Sequence, residues 1–97
     1  MKIEFAPEAA QELDEAVNWY ENEKEGLGFR FAHVVDETIL RCVRYPAFNT
    51  EVKPGIYRAL VKRFPYGIFY GIDGAVLTIY AVGHLHREPF YWSPRTG

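Results

Sequence analysis

The chain has one cysteine, one methionine and no long hydrophobic run among its 97 residues. The lone cysteine, Cys42, excludes an internal disulfide, which fits a reducing compartment, and we expect it to be a buried helical thiol. No apolar stretch approaches the roughly 20 residues that a membrane span needs. Residues 1–5 alternate in polarity, unlike the apolar stretch of a signal peptide. We therefore expect a cytoplasmic protein without membrane association.

The composition is that of one ordinary globular domain, predicted to span residues 1–97. Hydrophobic residues make up 48% and charged residues 25% of the chain, which is normal usage for a folded domain. The charges are unevenly distributed. Residues 1–51 have eleven acidic and five basic side chains, whereas residues 52–97 have two acidic and six basic ones. This asymmetry favours either a basic surface that meets an anionic partner or two ordinary solvated faces.

The polarity pattern predicts a strand followed by two helices. Residues 1–5 alternate as a short strand does, and helical periodicity runs from Pro7 to the linker 26–28 and then on to Pro46. Because this linker has only three residues, the helices should form an antiparallel hairpin. The acidic runs at 12–15 and 21–25 are expected to be the solvated face of the first helix. Residues 47–55 are predicted to be a polar loop.

Three further strands are predicted at residues 56–63, 66–72 and 75–83. Asp73-Gly74 is typical of a tight hairpin turn, and a two-residue loop there would pair Tyr70 with Leu77 on the face that the helices cover. The predicted fold class is therefore α+β. A helical hairpin packs on one face of a small, mainly antiparallel sheet, and the first strand joins the sheet at its edge.

The segment after the last predicted strand is aromatic, basic and interrupted by prolines, from His84 to Arg95. Arginine and tryptophan are favoured interface anchors, so this tail is a candidate contact surface, although Trp92 alternatively packs on the sheet. His84 and His86 are two residues apart, but no third ligand follows at metal-site spacing. We expect neither a metal nor a cofactor.

Four short strings, spread over nearly the whole chain, carry a family resemblance. They are residues 12–20 (ELDEAVNWY), Leu27-Gly28 with Phe31, residues 63–66 (RFPY) with Ile68 and Tyr70, and residues 79–84 (IYAVGH) with Arg87, Pro89 and Trp92. In this order they resemble the RelE/ParE superfamily of toxins from type II toxin–antitoxin systems, which includes plasmid stabilisation proteins. The resemblance implies a RelE/ParE-like fold and neutralisation by direct binding of a cognate antitoxin.

RelE-type members of the superfamily are ribosome-dependent mRNA endoribonucleases, and this is one mechanism that the resemblance leaves open. The residues that would carry such a reaction here are Arg58, Lys62, Arg87 and Tyr91. The superfamily's two catalytic arginines, however, fall at Gly67 and Leu85. Their loss removes the positive charge that stabilises the phosphorane in RNA cleavage.

ParE-type members inhibit DNA gyrase by binding to it, and the glycine at position 67 with an intact tail is closer to this branch. The resemblance does not fix which residues touch gyrase, and the target-binding candidates come from the composition of the tail: His84, His86, Arg87, Trp92 and Arg95. The predicted partners are then a cognate antitoxin and DNA gyrase; for the alternative enzyme they would be the ribosome and mRNA. The antitoxin is expected to add a strand to a sheet edge or a helix to the apolar groove beside the helical hairpin.

Overall fold

The computed structural model describes residues 1–96, which form two helices and a five-stranded mixed sheet. The elements are β1 (Lys2–Phe5), α1 (Pro7–Glu23), α2 (Leu27–Arg44), β2 (Thr50–Lys53), β3 (Ile56–Leu60), β4 (Tyr66–Asp73), β5 (Val76–His84) and a short 3₁₀ turn (Ser93–Thr96). The strand order is β1-β5-β4-β3-β2; β1 is parallel to β5 and every other pair is antiparallel. The predicted α+β class, the helical hairpin and the edge position of the first strand are confirmed.

An additional edge strand lies in the segment 47–55, where a polar loop is predicted. β2 pairs with β3, with Thr50 opposite Arg58, and its register shifts before Lys53. Three of its four residues are exposed, so the segment lacks the hydrophobic alternation by which a half-buried strand is recognised. Within residues 1–96, β2 and β1 are the two open edges of the sheet.

The β4–β5 hairpin forms, but its register differs from the predicted one. The loop consists of Gly74 and Ala75, and only Gly74 has a positive φ, of 59°. This is the φ pattern of a type II′ turn, whereas the type I′ turn that an Asp-Gly loop favours needs positive φ at both loop residues. Tyr70 is therefore opposite Ile79 rather than Leu77. Because the shift along β5 is an even number of residues, Tyr70 and Leu77 still face the helices, and both are fully buried.

The two helices cover one face of the sheet and form the main core with it. The fully buried side chains of this core include Phe31 and Val35 from α2 and Ile68, Tyr70, Leu77 and Ile79 from the sheet. Cys42 is 1% exposed, which confirms its prediction as a buried helical thiol. Neither helix of the described chain combines the length and apolar character that a bilayer span requires.

The helical hairpin is tightened at Gly26 and Gly28. The Glu21 carboxylate accepts hydrogen bonds from the N–H groups of Gly26 (2.8 Å) and Gly28 (2.9 Å), which would otherwise be unpaired at the start of α2. A Cβ on Gly28 would lie 2.6 Å from the carbonyl oxygen of Val17, so glycine permits the close approach of the helices. The linker is residues 24–26 rather than 26–28, because Leu27 and Gly28 already belong to α2.

Candidate functional site: the C-terminal tail and the outer sheet face

The C-terminal tail, residues 85–96, folds back over the sheet face that the helices leave uncovered. Trp92 is 1% exposed, and its ring packs on Phe69 with the centroids 5.0 Å apart. With Ile56 and Ala81, Trp92 forms a second, smaller core on this outer face. Full burial of a large aromatic side chain contributes about 1.5–3 kcal/mol. The tail is therefore packed against the sheet as part of the fold.

Glu12 of α1 is the point to which the tail is attached. Its carboxylate, only 10% exposed, accepts hydrogen bonds from Arg87 Nη1 (3.1 Å) and from the Tyr91 hydroxyl (2.8 Å). It also accepts hydrogen bonds from both terminal nitrogens of Arg95 (2.9 and 3.2 Å) and from the backbone N–H of Val82 (3.0 Å). Charge-assisted bonds of this kind are roughly twice as strong as neutral ones. We refer to Glu12, Arg87, Tyr91 and Arg95 as the Glu12 cluster.

The prediction that Glu12 belongs to a solvated acidic face is wrong. Glu12 lies one helical turn after Ala9 and one before Ala16, both of which are buried. That spacing places it at the margin of the apolar stripe of α1, and this is the one signal in the sequence that could have singled it out. Its partners lie 70 to 83 residues further along the chain, too far for any local pattern to reveal.

Both the ring and the hydroxyl of Tyr91 have interaction partners. The guanidinium carbon of Arg87 lies 3.8 Å from the centre of its ring, within cation–π range. Burial, together with the hydrogen bond to Glu12, raises the pKa of Tyr91 well above its usual range. Gly83 leaves room for this arrangement, since a Cβ there would overlap the Tyr91 hydroxyl. Tyr91 therefore keeps its proton and donates a hydrogen bond to Glu12.

Three of the four residues predicted for the ribonuclease alternative, Arg58, Arg87 and Tyr91, line one pocket, whereas Lys62 lies elsewhere. Arg58 lies on the outer face of β3, whereas Lys62 lies after the end of that strand and lines a groove beside α2. Arg87 and Tyr91 both belong to the Glu12 cluster. Of these residues, Lys62 thus lies on a different surface and Arg87 and Tyr91 are paired with Glu12, whereas Arg58 has no ion pair among residues 1–96.

A pocket of about 170 Å³ lies between the outer sheet face and the tail; we call it the tail pocket. It is lined by Val52, Arg58 and Phe69 from the sheet and by tail residues between His84 and Trp92. Because Gly67 has no side chain, Arg58 and Leu85 can pack close to its backbone. A Cβ on Gly67 would be 3.3 Å from a carbon of each of these side chains. Phe90, in the rim, has a φ of 60°, a conformation that non-glycine residues adopt rarely and that clusters at functional sites.

The structure divides the five predicted target-binding candidates into two groups. His86 and Arg87 are exposed and His84 is partly exposed, in a turn where the His86 N–H donates to His84 Nδ1 (3.1 Å). Trp92 is buried, and the Arg95 side chain is 14% exposed in its ion pair with Glu12. In residues 1–96, no three His, Cys, Asp or Glu side chains gather closely enough to hold a metal ion.

A larger groove of about 640 Å³ runs beside α2 on the helical side of the molecule; we call it the helix groove. Its apolar lining comes from Tyr20, Leu27, Val34, Phe64 and Pro65. Its charged lining comes from Arg30, Glu37, Arg41, Lys62 and Arg63. Four cations against one carboxylate make this groove basic. The predicted apolar groove beside the helical hairpin is therefore present, with a positively charged rim.

Comparison with known proteins places this arrangement in a family. A search of curated protein sequences gives no significant match. A solved chain described as the "Chromosomal ParDE TA system from P. aeruginosa" has the same fold, with a TM-score of 0.60 and 19% identity over 87% of this chain and 95% of that chain. The family profile described as "ParE toxin of type II toxin-antitoxin system, parDE" matches residues 3–89. The chain therefore belongs to the ParE toxin family of type II toxin–antitoxin systems.

Proposed function

We propose that this ParE-family toxin acts by binding DNA gyrase and that a cognate antitoxin neutralises it by direct binding. The observation that carries the proposal is the state of Tyr91, whose hydroxyl donates to Glu12 (2.8 Å) instead of being free for proton transfer. A toxin that acts by binding needs an exposed, well-ordered contact surface, and it does not need a side chain that transfers a proton.

RNA cleavage makes demands that this tail does not meet. A general acid or base must reach the reacting oxygen and change its protonation state, but Tyr91 is engaged and its pKa is raised. Cations must face the developing phosphorane charge, but the charge of Arg87 is balanced by Glu12 at 3.1 Å, so of the two arginines that line the tail pocket only Arg58 is left for this role. Gly67 and Leu85 stand where the superfamily has arginines. These features support the binding mechanism over the ribonuclease.

The exposed side of the tail has the mixed character of a protein interface. Leu85 is 42% and Phe90 51% exposed, and the imidazole of His86 and the guanidinium of Arg87 lie near them in the chain. Apolar and cationic side chains in one patch are typical of binding surfaces. The Glu12 cluster and Trp92 hold the patch in place before binding, which lowers the entropy cost of association. We assign Trp92 and Arg95 to positioning the tail, and His84, His86 and Arg87 to target contact.

The helix groove and the open strand edges suit the antitoxin. An amphipathic helix buries its apolar face in such a groove, and acidic residues on its flanks would meet the basic rim. The edge of β2 offers unpaired backbone groups to an added strand. The helix groove shares no lining residue with the tail pocket, whereas β2 contributes Val52 to it, so we assign the antitoxin to the helix groove and the target to the tail.

The proposal is tested by measuring two activities of the purified toxin in parallel. We expect inhibition of gyrase supercoiling and no codon-positioned cleavage of ribosome-bound mRNA. Tyr91→Phe should retain toxicity, because no proton transfer depends on the hydroxyl, whereas His86→Ala with Arg87→Ala should weaken it. Codon-positioned cleavage that disappears in Tyr91→Phe would instead establish the ribonuclease.

A further inference from the structure

Arg58 occupies an unusual position on the outer sheet face. It lies opposite Thr50 of β2 and Phe69 of β4. Its Nε atom is buried and has no hydrogen-bond partner among residues 1–96. Buried guanidinium N–H groups are normally paired, because an unpaired one loses its hydration without compensation. None of the salt bridges in the described residues involves Arg58. Arg58 therefore has a donor without an acceptor of its own.

The tail pocket around Arg58 is small and mostly apolar. Its volume is about 170 Å³, and Phe69, Phe90 and Trp92 contribute to its walls. Pockets for whole small-molecule ligands are typically about 300–1,000 Å³. The tail pocket is thus large enough for one side chain and too small for a nucleotide.

The charges and donors in the lining favour an anionic group. Arg87 borders the pocket, but its charge is paired with Glu12, so Arg58 is the cation that remains available. His84 also lines the pocket, and because its Nδ1 accepts the His86 N–H, Nε2 is the ring nitrogen left to donate. Among residues 1–96, Glu88 is the one carboxylate that lines the tail pocket, and it is exposed.

We infer that the tail pocket binds one carboxylate side chain, a glutamate or aspartate of the toxin's protein target, through Arg58. The planar guanidinium matches a carboxylate in geometry, and the aromatic walls would contact the methylene stem of that side chain. A nucleic-acid phosphate has the same charge, but its nucleoside exceeds the pocket, and a chain with a net charge of −2 is poorly suited to a polyanion. The inference rests on the proposed function in taking the target to be a protein.

Arg58→Met is the informative substitution, with Arg44→Ala, an exposed arginine at the end of α2, as its control. Methionine keeps the apolar stem that packs beside Gly67 and removes the buried unpaired N–H. We expect Arg58→Met to bind gyrase at least tenfold more weakly while its melting temperature is unchanged or higher. Arg44→Ala should match the wild type in both measurements. A merely structural Arg58 would instead lower the melting temperature and binding together, and unchanged binding in Arg58→Met would overturn the inference.

A second measurement examines the pocket without gyrase. The Arg58 Nε–H resonance of the toxin is followed by NMR during titration with N-acetylglutamate α-amide, with N-acetylglutamine α-amide and with adenosine monophosphate. Only the first compound has a side-chain carboxylate, so we expect a saturable shift with it alone. No shift, or a stronger response to the nucleotide, would overturn the carboxylate assignment. If the wild type does not bind gyrase but the carboxylate shift is seen, the proposed target is wrong and the pocket assignment stands.

Measuring the affinity for purified antitoxin shows whether the bound carboxylate belongs to the target or to the antitoxin. The antitoxin is assigned to the helix groove, so Arg58→Met should bind purified antitoxin with unchanged affinity. A loss of antitoxin affinity with full gyrase binding would show that the carboxylate belongs to the antitoxin and would overturn its assignment to the target.

Discussion

Replacing Glu12 by alanine should detach the C-terminal tail from the helical layer. The substitution removes the acceptor of the Arg95 and Tyr91 side chains and of the Val82 backbone N–H, three groups that are largely buried. Arg87 loses its partner as well, but its side chain is 52% exposed and can return to water. The cost is therefore concentrated at the three buried groups.

The size of the effect follows from the burial of the ion pair with Arg95. The Arg95 and Glu12 side chains are 14% and 10% exposed, and breaking such a pair by removing one partner typically costs about 3–5 kcal/mol. Domains of this size are stable by about 5–15 kcal/mol, so the loss is a large share of the total. At roughly 4–8 °C per kcal/mol, the melting temperature should fall by at least about 12 °C.

Glu15→Ala is the matched control, since Glu15 is an exposed glutamate on the same helix. Its effect should stay within about 0.5 kcal/mol. Urea unfolding gives both free energies, and limited proteolysis of the tail reports local release. If Glu12→Ala is no more destabilising than Glu15→Ala and leaves the tail resistant to protease, the assignment of Glu12 as the attachment point is wrong.

Three further predictions concern the core. Gly28→Ala should lower the free energy of unfolding by about 1–3 kcal/mol, because the new Cβ meets the Val17 carbonyl oxygen; unchanged urea denaturation would contradict this. Burial raises the pKa of Tyr70 to about 12, so the stability that the neutral Tyr70 hydroxyl contributes should be complete below pH 10 and lost as the pH rises towards 12. If Tyr70→Phe shows the same pH dependence of the free energy of unfolding as the wild type, this prediction is wrong. Burial also raises the pKa of the Cys42 thiol, so a thiol reagent should label Cys42 only as the chain unfolds, and rapid labelling of native protein would be inconsistent with the core.

Much of the fold could be predicted because its signals are local. The helices are recognisable from their apolar stripes and from Pro7. The strands β3 and β4 are recognisable from alternation and their turns, and β5 from its nearly continuous apolar run. β2 could not be predicted in this way, since a mostly exposed edge strand has no alternating pattern. The dipeptide Asp73-Gly74 also does not determine the hairpin register, because the register depends on which two residues form the loop and which of them has a positive φ.

The sequence by itself determined the fold class, the family and the aromatic-basic tail as the segment of interest, because periodicity and short strings are properties of neighbouring residues. Only the tertiary structure decided what that tail does chemically. The fold buries Trp92 and brings the Tyr91 hydroxyl and the Arg95 guanidinium into hydrogen bonds with Glu12. It leaves Arg58 Nε without a hydrogen-bond partner among residues 1–96. Whether a carboxylate is solvated or holds two arginines depends on groups more than 70 residues away in the chain, and the fold alone brings them within hydrogen-bonding distance.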